Sequence, residues 1–131
     1  MRYLCLIYED ERLWEKASKA EQEKVFEEYV AFSADIQKSG HHIASDPLHP
    51  TSTATTVRVR NGKISTTDGP FAETKEQLGG YYLIDAKDLN EAIQIAARIP
   101  GAKTGSVEVR PILEIAEMMS ATEYDAVRGR A

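Results

Sequence analysis

Asp68, His42 and Lys75 are the residues of this sequence whose types could cooperate in a reaction. A carboxylate at the mouth of an apolar cavity has its charged form disfavoured by desolvation, which raises its pKa toward the range of general acid or base work. Asp68 with an imidazole such as His42, and an ammonium such as Lys75 to hold an anion, would suffice for a proton transfer or an elimination on a small organic acid. Phe71, Glu73, Lys75, His49 and Tyr82 are the expected ligand contacts. Asp68 also has a purely structural reading, as an Asx-turn whose side chain binds backbone N–H groups two residues on and fixes the Gly69-Pro70 corner.

These residues centre on the stretch from Thr66 to Asp85, TTDGPFAETKEQLGGYYLID. Most connections in compact domains run ~4 to 6 residues, whereas this one combines a Gly-Pro constraint, an aromatic and several ionisable groups before a glycine pair. It therefore reads as a site. The three histidines, His41, His42 and His49, lie close to Asp46, yet their spacing matches no zinc pattern and no cysteine accompanies them, so no metal is expected. With no phosphate loop, GxSxG elbow, dinucleotide fingerprint or cofactor-lysine motif, no cofactor is expected either.

The elements that must position these residues follow from periodicity and punctuation. Tyr3 to Tyr8 is apolar at every position, as in a strand buried on both faces. Ser18 and Glu21 have capping-box spacing, and Val25, Tyr29, Phe32 and Ile36 form one apolar face, which predicts a helix from about Lys19 to Ser39. His41 to Pro50 reads as an edge strand and a loop. Val57 and Val59 alternate with Arg58 and Arg60 before Asn61-Gly62, which predicts a hairpin over Thr55 to Thr67 with a type I′ turn. Gly79 and Gly80 allow a close backbone approach or a bulge, and Tyr81 to Ile84 is a second doubly apolar strand. A second helix is predicted from Asp88 to Pro100-Gly101, then an outer strand over Ser106 to Arg110. The remainder, 113–131, has moderately helical composition, with Met118 and Met119 docking it and a frayed end.

This order predicts an α+β fold of ferredoxin-like, split βαβ type, with the two doubly apolar strands in the middle of the sheet. Two helices cover only one side of such a sheet. Leu4, Leu6, Tyr81 and Leu83 then need a cover on the other, which predicts a homodimer built by sheet-to-sheet packing.

A length of 131 residues suits one domain over 1–131, with a core of about 1–112 and a C-terminal tail. Net charge is −5, from 16 basic and 21 acidic residues, without a basic stripe, which argues against direct nucleic-acid binding. Glu9 to Glu11 and Glu21 to Glu28 read as solvated acidic faces. No segment is long and apolar enough to span a membrane and the N-terminus does not resemble a signal peptide, so a cytoplasmic protein is expected. Cys5 reads as a small buried hydrophobe.

The run Asp68, Gly69, Pro70, Phe71, Ala72, Glu73, Thr74, Lys75 and Glu76, followed by Gly79 and Gly80, resembles the DGPF motif of the YCII-related proteins. The resemblance extends from Tyr3 to about Pro111. It implies a dimeric α/β barrel with a pocket beside the loop, in a family whose activities are mostly undefined. Smaller YCII-type proteins carry a proposed His-Asp dyad between their first and second helices. The present chain has no histidine in its first helix and reads Arg98, Ile99, Pro100 and Gly101 after its second, so that dyad does not carry over. DGPF-type domains are often encoded beside, or fused to, extracytoplasmic-function sigma factors, which implies sigma-factor association as one role. Three readings stay open: an enzyme acting on a small organic acid, a non-catalytic ligand-binding or regulatory module acting through a protein partner, and a purely structural dimer.

Overall fold

The structure, a computed structural model, describes residues 1–129. It opens with β1 (Arg2–Glu9), α1 (Glu11–Lys16) and α2 (Lys19–Lys38). Then come β2 (His42–Pro47), a 3-10 turn (Thr51–Thr53), β3 (Thr55–Arg60), β4 (Lys63–Asp68) and β5 (Gln77–Asp85). α3 (Leu89–Ala96), α4 (Gly101–Thr104), β6 (Ser106–Pro111), a second 3-10 turn (Ile115–Glu117) and α5 (Ala121–Arg128) complete it.

Four strands form one open antiparallel sheet in the order β2-β5-β1-β6. Each long helix therefore joins strands that are not neighbours, the order a split βαβ unit produces. The central pair is β1 and β5, the two strands with no polar face. Tyr3, Cys5 and Ile7 of β1 and Tyr82 and Ile84 of β5 face the helices, where Phe32, Ile36, Ala92, Ile95 and Ile99 close the core. Cys5 is fully buried, and burial pushes its thiol up to about 11. On the far side Leu4 pairs with Leu83 and Leu6 with Tyr81, and all four are only half-buried. The expected barrel is absent from the single chain, whose sheet is open with β2 and β6 as edges.

Local chemistry explains the boundaries. Ser18 accepts from the Glu21 N–H at 3.1 Å and starts α2 with a capping box, and Gly40, at φ +81°, follows its end. Asn61 and Gly62 both take positive φ, 54° and 74°, as a type I′ turn requires. Asp10 accepts from the Arg12 N–H at 3.0 Å and starts α1, an extra helix in a segment read only as charged. The second predicted helix is divided, because Arg98 and Ile99 donate to Ile95 and Ala96 and tighten the chain after α3 before Pro100 leads into α4. In the tail Met118 is 69% exposed and does not dock, while Ser120 forms a capping box that starts α5. The expected fraying concerns 130–131, outside the described residues.

Candidate functional site

An open cavity of about 1010 Å³ lies between α2, α1, β2 and β5. Its floor is shaped by two glycines. β5 bulges at Gly79, where the register with β1 shifts from Ile7↔Gly80 to Tyr8↔Leu78. A Cβ on Gly80 would sit 3.0 Å from the Asp46 carbonyl oxygen, so β2 can approach only because no side chain is there. With Ser45 the two glycines put little side-chain bulk on the cavity floor, and Val25, Phe26, Tyr29 and Val30 of α2 line it from above.

Six carboxylates surround the space, Glu9, Asp10, Glu11, Glu15, Glu23 and Asp46, against Lys19 and His49. Three have local duties. Asp10 caps α1 and pairs with Arg12, which holds its pKa below the ordinary carboxylate value. Glu11 accepts from the Thr51 N–H and hydroxyl, each at 2.8 Å, and pins the 3-10 turn to the rim. Asp46 accepts from Tyr81 Oη at 2.9 Å.

Glu9 differs from these. Burial pushes its pKa up, the neighbouring Thr104 and Tyr29 hydroxyls partly offset that rise, and the nearby Glu76 charge adds to it. Tyr29 is itself shifted upward, first by burial and then by the Glu9 charge, and its Oη accepts the Gly101 N–H at 3.1 Å. Gly101 makes this cluster sterically feasible, since a Cβ there would meet Glu9 Oε1 at 2.4 Å and Tyr29 Oη at 2.8 Å. A carboxyl of raised pKa, beside a phenol and lining a largely apolar cavity, is an arrangement compatible with general acid or base chemistry.

Of the residues singled out from sequence, His49 and Tyr82 line this cavity. Tyr82 hydrogen-bonds Ser33 at 2.7 Å and meets Phe32 edge-on at 5.0 Å. His42 stands one residue behind the wall, its Nε2 2.8 Å from Ser45 Oγ. Asp68, Phe71, Glu73 and Lys75 are exposed and do not line it. The wall expected of the Asp68 loop is built instead by α1 and the Pro47–Pro50 segment. At the start of that loop Gly69, at φ +101°, donates to Ala54 O at 2.7 Å and ties it to the base of the hairpin. The Asp68 side chain makes no Asx-type bond among the described residues; Thr56 Oγ1 instead closes the corner by donating to Gly69 O at 2.9 Å. The loop nevertheless returns to the rim. Glu76 accepts from Ser106 Oγ at 2.8 Å, and Gln77 bonds both Thr74 O and the Glu11 N–H.

Sequence reasoning missed Glu9 because it reads as one more acid in a charged run. The available signal was its place at the end of a doubly buried strand, which forces alternate side chains inward. Among the described residues no three His, Cys, Asp or Glu side chains converge to hold a metal ion, and no helix is long and apolar enough to cross a membrane.

The YCII-related domain model matches residues 1–116. An uncharacterized protein of Rhizobium meliloti (strain 1021) is 42% identical over 114 residues, which cover 86% of this chain and 92% of that protein. On both matches, the chain belongs to the YCII-related family.

Proposed function

We propose that the chain binds a small organic molecule in the cavity under α2, and that Glu9 with Tyr29 is the group that exchanges a proton with it. The carrying observation is a cavity of about 1010 Å³ whose walls are largely apolar and whose inner end presents a carboxyl of raised pKa. Ligand sites typically have ~300 to 1,000 Å³ and few, placed polar groups. Ser33, Tyr82 and His49 supply further hydrogen-bonding positions along the lining. A small organic acid is the substrate class we favour, with a proton transfer or elimination as the reaction. Glu9 takes the acid–base role first considered for Asp68 because it faces the cavity. We also propose the homodimer, through the half-buried Leu4, Leu6, Tyr81 and Leu83 face.

The test is a screen of small carboxylates by ligand-observed NMR against the wild type and Glu9→Gln. Binding that Glu9→Gln alters, with contacts mapping to Tyr29 and Tyr82, is the expected result. Ligands that bind without perturbing either tyrosine would remove the cavity from consideration.

A further inference from the structure

The run from Asp68 to Glu76 lines no part of the cavity, yet its last residue is tied down beside it. β5 and β6 flank β1 on opposite sides, with Gln77 opposite Glu9 in one ladder and Ser106 opposite Tyr8 in the other. The bond from Ser106 Oγ to Glu76 Oε1, at 2.8 Å, therefore joins the two flanking strands across the end of β1, where Glu9 stands. β6 can begin this close because residue 105 is glycine: a Cβ there would meet Glu9 Cγ at 2.8 Å. Thr74 Oγ1 donates to Glu76 O and Gln77 Nε2 to Thr74 O, which folds the end of the loop onto the start of β5. Glu76 and Gln77 are accordingly half-buried, whereas every residue from Phe71 to Lys75 is exposed.

The groups around Glu9 divide by what they do to its charge. Burial is the largest influence and disfavours the ionised carboxyl, while the neighbouring hydroxyls of Thr104 on α4 and Tyr29 on α2 favour it. The next two acids in sequence are engaged elsewhere, Asp10 with Arg12 and Glu11 with Thr51. Glu76 supplies the charge that opposes ionisation, and burial sharpens its effect by removing the water that would screen it.

We propose that Glu76 is the positioning residue of this acid–base site: held across β1 by Ser106, it keeps a second carboxylate beside Glu9, and through it the Asp68–Glu76 loop governs a cavity that it does not line. Glu9 holds its proton more firmly while Glu76 is docked and less firmly when Ser106 releases it. That suits a substrate arriving as an anion, because a neutral carboxyl does not repel it and can donate to it. The inference rests on the reading of Glu9 as the proton-exchanging group, and it gives the loop a role in that chemistry.

The Glu9 carboxyl can be followed by NMR titration in the ligand-free protein, with urea denaturation as the check on folding. Glu76→Gln keeps an oxygen for Ser106 and removes the charge, so the Glu9 midpoint should move down toward the ordinary carboxylate value. Glu73→Gln makes the same charge change in the exposed part of the loop and should leave the midpoint in place. Ser106→Ala should move it in the same direction as Glu76→Gln, and Ser106→Thr, which keeps the hydroxyl, should restore it. An unmoved midpoint in Glu76→Gln, an equal fall in Glu73→Gln, or a Ser106→Ala protein that titrates like the wild type overturns the proposal. No ligand enters these titrations, so a failed ligand screen leaves them readable, and an unmoved midpoint leaves the cavity standing as a ligand site.

Discussion

In the C-terminal half of α2, Phe32 and Ile36 are 7% and 0% exposed, whereas in the N-terminal half Phe26 and Val30 stand 68% and 52% exposed. Phe26 and Val30 lie roughly 80° to 160° round the helix from the packed face. Val25 and Tyr29 share that face with Phe32 and Ile36 yet are also only half-buried, so what the sheet presents contributes to the difference. Beneath the C-terminal half β5 offers Tyr82 and Ile84, which fill the space. Beneath the other half it offers Gly79 and Gly80, and the space stays open. A cavity can thus be made by removing side chains from the strand while the helix keeps an ordinary amphipathic pattern.

The comparison breaks most sharply at Ile36. Ile36→Ala should cost about 2 to 5 kcal/mol in urea denaturation, because a fully buried side chain leaves a hole among rigid neighbours. If the loss were as small as at an exposed site, the packed half would not be packed. Gly101→Ala should follow, at about 1 to 3 kcal/mol, since its new methyl enters the space of Glu9, Tyr29 and Ile7 Cγ2. The Glu9 titration measured by NMR should move with it.

Tyr82→Phe sits on the border between the halves. It keeps the edge-on contact with Phe32 and loses the Ser33 bond, so a loss of about 0.5 to 1.5 kcal/mol is expected by the same denaturation measurement. Phe26→Ser should change stability least, within about 0.5 kcal/mol, while abolishing uptake of an apolar fluorescent probe.

Glu9 sharpens the contrast through pH. Its folded-state pKa lies above the unfolded one, so its contribution to stability is fully present below the unfolded pKa and lost as pH rises through the folded pKa. Glu9→Gln should therefore be more stable than the wild type at neutral pH, with that advantage shrinking on acidification below the ordinary carboxylate range. Denaturation curves across pH check the sign, and an advantage that grew toward acid would show that the carboxyl is stabilised in its charged form.

The elements were legible where one residue type had one physical meaning. Ser18 with Glu21, Asn61-Gly62 and the doubly apolar Tyr3–Tyr8 each allow a single local solution, and the structure adopts it. The short helices were not, because α1 and α4 depend on Asp10 as a cap and on a turn tightened by tertiary packing rather than on periodicity. Of the cavity residues, Tyr82 could be found from the second central strand and His49 from the histidine-rich loop. Glu9 carried only the weak signal of alternating with Tyr3, Cys5 and Ile7, since its raised pKa arises first from burial and then from the Glu76 charge, and both depend on residues distant in sequence. The exposure of the Asp68 loop was equally hidden, since the sequence does not say that Gly69 takes a positive φ and bonds back to Ala54.

The central position of β1 also dictates when this protein can fold. Tyr3 pairs with Ile84 on one side and Pro111 on the other, so the first strand to leave the ribosome waits for the last one of its sheet. Loop closure over such separations is entropically expensive and slow. Until β5 emerges, the Tyr3–Tyr8 segment has no sheet neighbour for its backbone N–H and C=O groups, and until Pro111 emerges one of its edges stays open, the condition under which nascent chains aggregate. Refolding of the purified chain should accordingly fall toward the millisecond-to-second end of small-domain rates, and a circular permutant that opens the hairpin at Asn61-Gly62 would bring β5 and β6 ahead of β1 in synthesis.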